Sequence, residues 1–270
     1  MTSEKTDKTK SIISQIGEEL NFPKILVEQT IAFAKTVFGS AMTELGELFT
    51  DRVRYWRYKN QVNILIKASE LIKKKGSTAK PINFKILVPL LENSSLESEP
   101  KLQDLWAKLI SNLATEEPTH SDSNYVKTLS NLSTYDAKML DWIIDRQIKN
   151  LGFQIFDYPI NMVHTLMGTQ VPIKKEDMMK SFGIGLSQYS LQSDFNLSFG
   201  RLLQEGLIEF NIPEITLKTT TIEHIIEKKG GKVTSIRKGD SPEVKFTRPA
   251  HFLLSVYGFY FLRMVKSKEE

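Results

Sequence analysis

The chain has 270 residues, of which 40% are hydrophobic and 25% charged, with no cysteine and a formal net charge of +4. The missing cysteines exclude disulfides and thiolate metal sites and fit a reducing, cytoplasmic setting. The charge excess falls short of the clustered basicity of a dedicated DNA-binding domain, and leans only slightly towards an acidic partner such as nucleic acid or a membrane surface.

Residues 1–10, MTSEKTDKTK, read as a disordered tail and lack the apolar core of a secretory leader. From Ser11 to about Lys75 the chain reads helical. Pro23 suits a helix start, because a first turn leaves its N–H positions unused. Ile31, Phe33, Ala34, Val37, Phe38 and Ala41 recur at helical spacing. Glu28 and Lys35 interrupt the apolar run Ile25–Met42 well short of the roughly 20 residues a membrane span needs. A buried helix is expected there, with attachment of residues 25–49 to a membrane surface as the lesser alternative. The apolar stripe continues through Leu45, Leu48, Phe49, Val53 and Trp56, then changes face to Tyr58, Val62, Leu65, Ile66 and Ile72. That predicts a helix packed on more than one side, or a break near Gly39 or Gly46. Val53 and Trp56 are expected in the core. Lys73, Lys74, Lys75 and Gly76 make a helix stop.

The segment LFTDRVRYWRYKNQVNIL, Leu48–Leu65, interleaves arginine with aromatics. Between Asp51 and Lys75, eight basic residues face only Asp51 and Glu70. Such a stretch suits a nucleic-acid surface, and equally a helix whose long cationic stems cover a core. On a helix Arg54, Arg57 and Gln61 share a side, with Tyr58 beside them, while Arg52 and Lys59 lie well round from that trio. The cations therefore form no single stripe. Arg52, Arg54, Arg57, Tyr58 and Lys59 make up the candidate interaction surface, the arginines being expected to meet acidic groups of this chain or a neighbouring one.

STAKPIN reads as a linker. Phe84, Leu87, Val88 and Leu91 have helical spacing, with Pro89 kinking that helix or restarting it. After the polar turn NSSLESEP, Ser98 is placed to cap the next helix, whose apolar face is Leu102, Leu105, Trp106, Leu109, Ile110 and Leu113. A short helical piece around Tyr125–Leu132 follows. Ser133 or Thr134 caps another helix with Leu140, Ile143, Ile144 and Ile148 on one face.

After about residue 152 the pattern changes. KKEDMMKSF reads as a short helix and IGLSQYSLQS as a turn or loop. A second helix starts at Asp194 or Asn196 and ends before Gly206. LIEF and VKF read as a strand pair, and Ser255 caps the last helix, VYGFYFLRMV. Helix, turn, helix and strand pair is the order of a winged helix-turn-helix, with an enlarged insertion at about 211–245. Inside it IEKKGGKV is either a hairpin turning at Gly230–Gly231 or a helix capped there. The second helix of the pair carries one cation, Arg201, against Asp194 and Glu205, a poor match for phosphates. Lys228, Lys229, Lys232, Arg237 and Lys238 in the insertion are the candidate nucleic-acid contacts.

No nucleotide-binding, zinc-protease, nucleophile-elbow or kinase motif occurs. His120, His164, His224 and His251 are scattered, none three or four residues from another. No cofactor, metal, catalytic residue or small-molecule substrate is expected.

Four segments resemble the abortive infection protein alpha (Abi-alpha) family of bacterial phage-resistance proteins. They are LGELFTDRVRYWRYKNQ at Leu45–Gln61, KPINFKILVPLLENSSLES at Lys80–Ser98, LQDLWAKLISNLA at Leu102–Ala114 and YVKTLSNLSTYDAKML at Tyr125–Leu140. GLIEF and LLSVYGFYFLRMV extend the likeness more loosely to about residue 265. The resemblance implies antiviral defence, in which an infected cell stops growing or dies before phage mature, and carries over no catalytic residue. The expected architecture is mainly α: a helical domain over 11–150 and a winged-helix-like α+β domain over 153–270. It is expected to act by binding or oligomerisation, with itself or a protein partner, ahead of nucleic acid and of a membrane surface.

Overall fold

The computed structural model describes residues 14–19, 21–38, 52–151, 170–184, 189–210 and 251–266, together with Ser11 and the strand segments 215–217, 226–229, 232–235 and 244–246. Only the backbone is described at 52–54, 148–151, 189–190 and in those strand segments. The predicted break near Gly39 or Gly46, the 1–10 tail and the apolar residues of 39–49 lie outside the described residues.

Helix α1 (Lys24–Phe38) starts after Pro23, whose carbonyl accepts from the N–H groups of Leu26 and Val27. Its apolar face (Leu26, Val27, Phe33, Ala34, Val37 and Phe38) is buried as the spacing predicts, leaving Ile25 exposed. Helix α2 (Arg52–Lys75) ends as expected, with three lysines in its last turn and Gly76 at φ 63°. Helix α3 (Phe84–Ser95) runs through Pro89 without restarting. Helix α4 (Pro100–Thr115) is capped by Glu99 rather than Ser98, with Pro100 in the first helical position. Proline restricts the residue before it to extended backbone, which is the cap conformation, so the start is set by Pro100. The packing of α2 on α4 is the most extensive between any two helices. Trp106, Leu109 and Ile110 from α4 and Ile64, Ile66 and Ala68 from α2 are all buried.

Helix α5 (Asp122–Asn131) packs on α3. Helix α6 (Thr134–Leu151) begins in a reciprocal cap. Ser133 Oγ accepts from Asp136 N at 3.2 Å, and Asp136 Oδ2 accepts from Ser133 N at 2.6 Å.

The remaining elements are β1 (Ile173–Lys174), α7 (Lys175–Ser181), α8 (Tyr189–Gln204), β2 (Ile208–Phe210), β3 (Ile215–Leu217), β4 (Ile226–Lys229), β5 (Lys232–Ser235), β6 (Val244–Phe246), β7 (His251–Leu254) and α9 (Val256–Val265). Helix α8 starts five residues before Asp194, so YSLQS is helical and not loop. Strands β1, β7 and β2 form one antiparallel sheet with β7 in the centre. The expected pairing of LIEF with VKF is therefore corrected. β2 pairs with HFLL, the segment directly before the last helix. VKF pairs instead with β3.

The pairings Ile208↔Leu254, Ile215↔Phe246 and Ile226↔Ser235 are nested one inside the next. β4 and β5 pair antiparallel as far as Lys229↔Lys232, so the residues on either side of Gly230–Gly231 are paired strands and not a helix.

Helix α9 closes the fold. Ser255 caps it as predicted, accepting from Gly258 N at 2.8 Å. Gly258 lies so close to the chain at Leu207 that an added Cβ would fall 2.0 Å from the Leu207 carbonyl oxygen. The other end of α9 reaches α4. Asn112 Nδ2 donates to the carbonyls of Met264 (2.8 Å) and Arg263 (3.3 Å), which a helix end leaves without partners of its own. Among the described residues no helix is long and apolar enough to cross a membrane.

Candidate functional site

The motif helix α2 runs antiparallel to α3 and parallel to α4, and its polar side chains knit the three together. Arg57 Nε donates to Ser95 Oγ at 2.9 Å, Asn60 Nδ2 to the Ser95 carbonyl at 3.1 Å, and Gln61 Nε2 to the Leu91 carbonyl at 2.9 Å. The Ser95 carbonyl is at the very end of α3, where the helix has no further turn to supply a donor, while the Leu91 carbonyl also accepts from Ser94 Oγ at 3.4 Å. Further along, Asn63 Nδ2 donates to Gln103 Oε1 (2.6 Å) and Lys67 Nζ to Asp104 (2.7 Å). Lys75 then reaches Asn112, the residue that caps α9. Gln103 in turn donates to the Glu97 carbonyl at 2.9 Å, holding the turn between α3 and α4. One row of polar residues on α2 thus anchors the end of α3, the length of α4 and, through Asn112, the last helix.

The structure separates the members of the sequence-derived surface. Arg57 and Gln61 do act on one side, as their spacing required, but Arg57 meets a serine hydroxyl rather than an acid. Tyr58 is buried and burial pushes its phenol pKa up, so it offers no outer surface. Trp56, expected in the core, is 46% exposed. It lies one turn before Asn60, whose amide meets the Ser95 carbonyl at the end of α3. Lys59 lies 4.0 Å from Glu19, whose carboxylate also accepts from Tyr55 Oη at 2.6 Å. Arg52 and Arg54 fall on the first turn of α2, and Val53 with them, where the backbone alone is described. Sequence reading passed over Asn60, Ser95, Gln103 and Asn112. Their signal was polar residues at helix phases otherwise filled by apolar ones.

The second group of candidates is not gathered with the first. Lys228 and Lys229 lie on β4 and Lys232 on β5, with Lys229 directly opposite Lys232 at the hairpin end. Arg237 and Lys238 lie outside the described residues.

Two ion clusters and a cleft complete the polar architecture. The fully buried Asp136 of the α6 cap also accepts from Arg201 of α8. Asp141 of α6 accepts from Lys101 on α4 and from Lys266 just past α9. A cleft of about 180 Å³ opens between the end of α4, the start of α5 and α9, lined by residues including Glu116, Asp122, Tyr125, Tyr260 and Arg263. Burial pushes the Tyr125 phenol up to about 12, the Ser121 hydrogen bond only partly opposing it. The Tyr125 ring stacks on Tyr257, whose hydroxyl is 2.9 Å from Thr128 Oγ1. Among the described residues no group of three His, Asp or Glu stands where it could hold a metal.

These features define a mainly helical protein with a small three-stranded antiparallel sheet and two further strand pairs, whose densest polar motif is spent on joining its own helices. The sequence profile of the family described as abortive infection alpha matches residues 57–265, about three-quarters of the chain, and the protein belongs to that family. The match begins at Arg57, which donates to Ser95 of α3. No curated protein and no solved structure matches the chain.

Proposed function

We propose that this protein is an anti-phage, abortive-infection effector that works by binding and assembly rather than by chemistry of its own, in the cytoplasm. Membership of the abortive infection alpha family supports the defence role. The observation that carries the molecular reading is the commitment of the α2 motif to helix ends of its own chain. The stretch most typical of the family builds a framework, and the framework presents the C-terminal elements. Those elements, β1–α7–α8–β2 with β7 central in the sheet, support a winged-helix-like unit over 153–270 mounted on a helical unit over 11–150. A helix pair between the first two strands and a long ribbon between the last two is the winged-helix order. Phage plating on cells with and without the gene tests the role. Plaque numbers unchanged across a broad phage panel would count against it.

A second reading takes the ribbon as a nucleic-acid contact. The β4–β5 hairpin favours it, because it brings Lys228, Lys229 and Lys232 to one end with Arg237 and Lys238 a few residues on. Like charges directly opposite, as at Lys229↔Lys232, cost stability unless an anion lies between them. Binding of duplex or single-stranded DNA at low salt, weakening steeply as salt rises, is the expected result. Absence of any mobility shift at low salt removes this reading. Membrane attachment through residues 25–49 has less behind it, since the apolar face of α1 is covered. Flotation with anionic liposomes tests it.

A further inference from the structure

Helix α8 stands where a winged helix presents its outer helix, yet its outward face is unlike a phosphate-binding one. The buried side is Phe195, Ser198, Phe199 and Leu202. On the opposite side Ser193, Leu197, Gly200 and Gln204 are all exposed, at steps of four, three and four residues. That is the spacing of a helix–helix seam. The stripe carries no charge, whereas the middle of a solvent-facing helix surface is ordinarily charged. Of the cations beside it, Arg201 is tied inward to Asp136 and Lys175 is held by Asn196 Oδ1 at 2.8 Å.

Two residues of the stripe need explaining. Leu197 is 66% exposed. Gly200 lies in the helix interior, where glycine is a destabilising choice. Its φ is negative, and a Cβ built on it meets nothing within 4 Å. Neither its backbone conformation nor packing among the described residues asks for glycine there. A close approach from outside does.

We propose that this face of α8 is a self-association surface that takes the α8 of a second copy. It names a surface for the assembly proposed above, on which it rests. The stripe holds a knob, Leu197, and a hole, Gly200, about 4.5 Å apart along the axis. With two copies antiparallel about a two-fold axis between those positions, each Leu197 enters the space over the other chain's Gly200. Ser193 of each chain then falls opposite Gln204 of the other. A polyanion is a poor occupant, because the stripe has no free cation. The area sets the strength. A 16-residue helix is roughly 24 Å long and about 10 Å wide. That footprint is well below the roughly 800 Å² per partner of a standard interface. A weak, reversible dimer follows, with dissociation in roughly the micromolar range.

Sedimentation velocity of the full chain across roughly 1–100 μM tests this. The expected result is a concentration-dependent dimer that Leu197→Glu and Gly200→Glu each weaken at least about tenfold with an unchanged circular dichroism spectrum. Leu197→Ser serves as the milder variant if a glutamate disturbs the fold. A monomer throughout, or a dimer that survives these substitutions, overturns the proposal. The absence of cysteine allows a second readout. Under mild oxidation Ser193→Cys mixed with Gln204→Cys should form a disulfide between chains, and each alone should not. Cross-linking of each only with itself overturns the knob-and-hole geometry. These solution results stand apart from plaque counts, so the surface and the defence role fail separately.

Discussion

Helices α2 and α8 are the two that their sequences mark for a surface role, and the structure uses them oppositely. Helix α2 carries a dense basic and aromatic motif, and its polar groups turn inward to Ser95, Leu91, Gln103, Asp104 and Asn112. Helix α8 carries no such motif, and its outward side is a bare neutral stripe. The difference teaches that the density of polar side chains does not locate a binding face. The end of α3 next to α2 has a carbonyl, that of Ser95, which needs a donor, and the motif supplies it. What is left for partners is the face with no internal debt.

The largest expected effect breaks the inward side of α8. Arg201→Ala leaves the Asp136 carboxylate fully buried, with only the Ser133 cap to satisfy it. Removing one member of a buried pair costs about 3–5 kcal/mol, and the remaining cap bonds place this case near the lower figure. Denaturant melts should show the midpoint falling with the slope unchanged. A loss under about 1 kcal/mol would mean the pair is solvated and α8 is not held as described.

Next comes the α2 seam. Asn60→Ala leaves the carbonyl of Ser95 without its donor at a 93% buried side chain, and a loss of about 1–3 kcal/mol is expected. Lys59→Ala, one residue away, should change stability by less than about 0.5 kcal/mol, because its contact with Glu19 is long and exposed. Equal losses at both positions would erase the distinction between seam and surface on α2.

A smaller effect belongs to the α5–α9 contact that joins the regions carrying α2 and α8. Tyr125 has its phenol pKa raised from 10.0 to about 12 in the fold. Its folded pKa exceeds its unfolded one, so its contribution is fully present below pH 10 and is lost as pH climbs towards 12. Partial exposure of the group lowers the size of that loss. Tyrosinate absorbance should show a late-titrating phenol that Tyr125→Phe removes. Stability measured through the same window should fall less steeply in the variant.

Much of this architecture was legible because it is local. Gly76, Gly206 and Ser255 mark helix ends through their own backbone or side-chain chemistry, and all three do so in the fold. The face of α4 follows from spacing alone. What escaped depends on partners distant in sequence. Strand β7 is a histidine and three apolar residues fused to an apolar helix, and no period distinguishes a strand over that length. Its identity comes from pairing with Ile173 and Ile208, far up the chain. The start of α8 was placed late because Ser193, Asp194 and Asn196 are favoured at caps, while burial of Phe195 and Phe199 carries the helix through them. The Asn60–Ser95 contact was hidden for the same reason as β7, since it joins positions 35 apart.

Trp56 gives the smallest expected effect and the sharpest test of the α2 geometry. Periodicity alone makes it core, one turn before Asn60 on the same face. The structure leaves it 46% exposed, one turn beyond the contact of Asn60 with the Ser95 carbonyl at the end of α3. A buried tryptophan cut to a small residue costs about 3–5 kcal/mol. A surface one usually stays within about 0.5 kcal/mol. Trp56→Ser should therefore leave the melt of the isolated protein nearly unchanged, while Asn60→Ala lowers it. A large loss at Trp56 would mean that α2 is covered beyond the end of α3, and that its first turns belong to the core the sequence pattern drew. With stability unchanged, any loss of phage protection in the same variant would make the exposed indole a contact for something outside the chain. It would then give α2 an outward role that begins where its inward one stops.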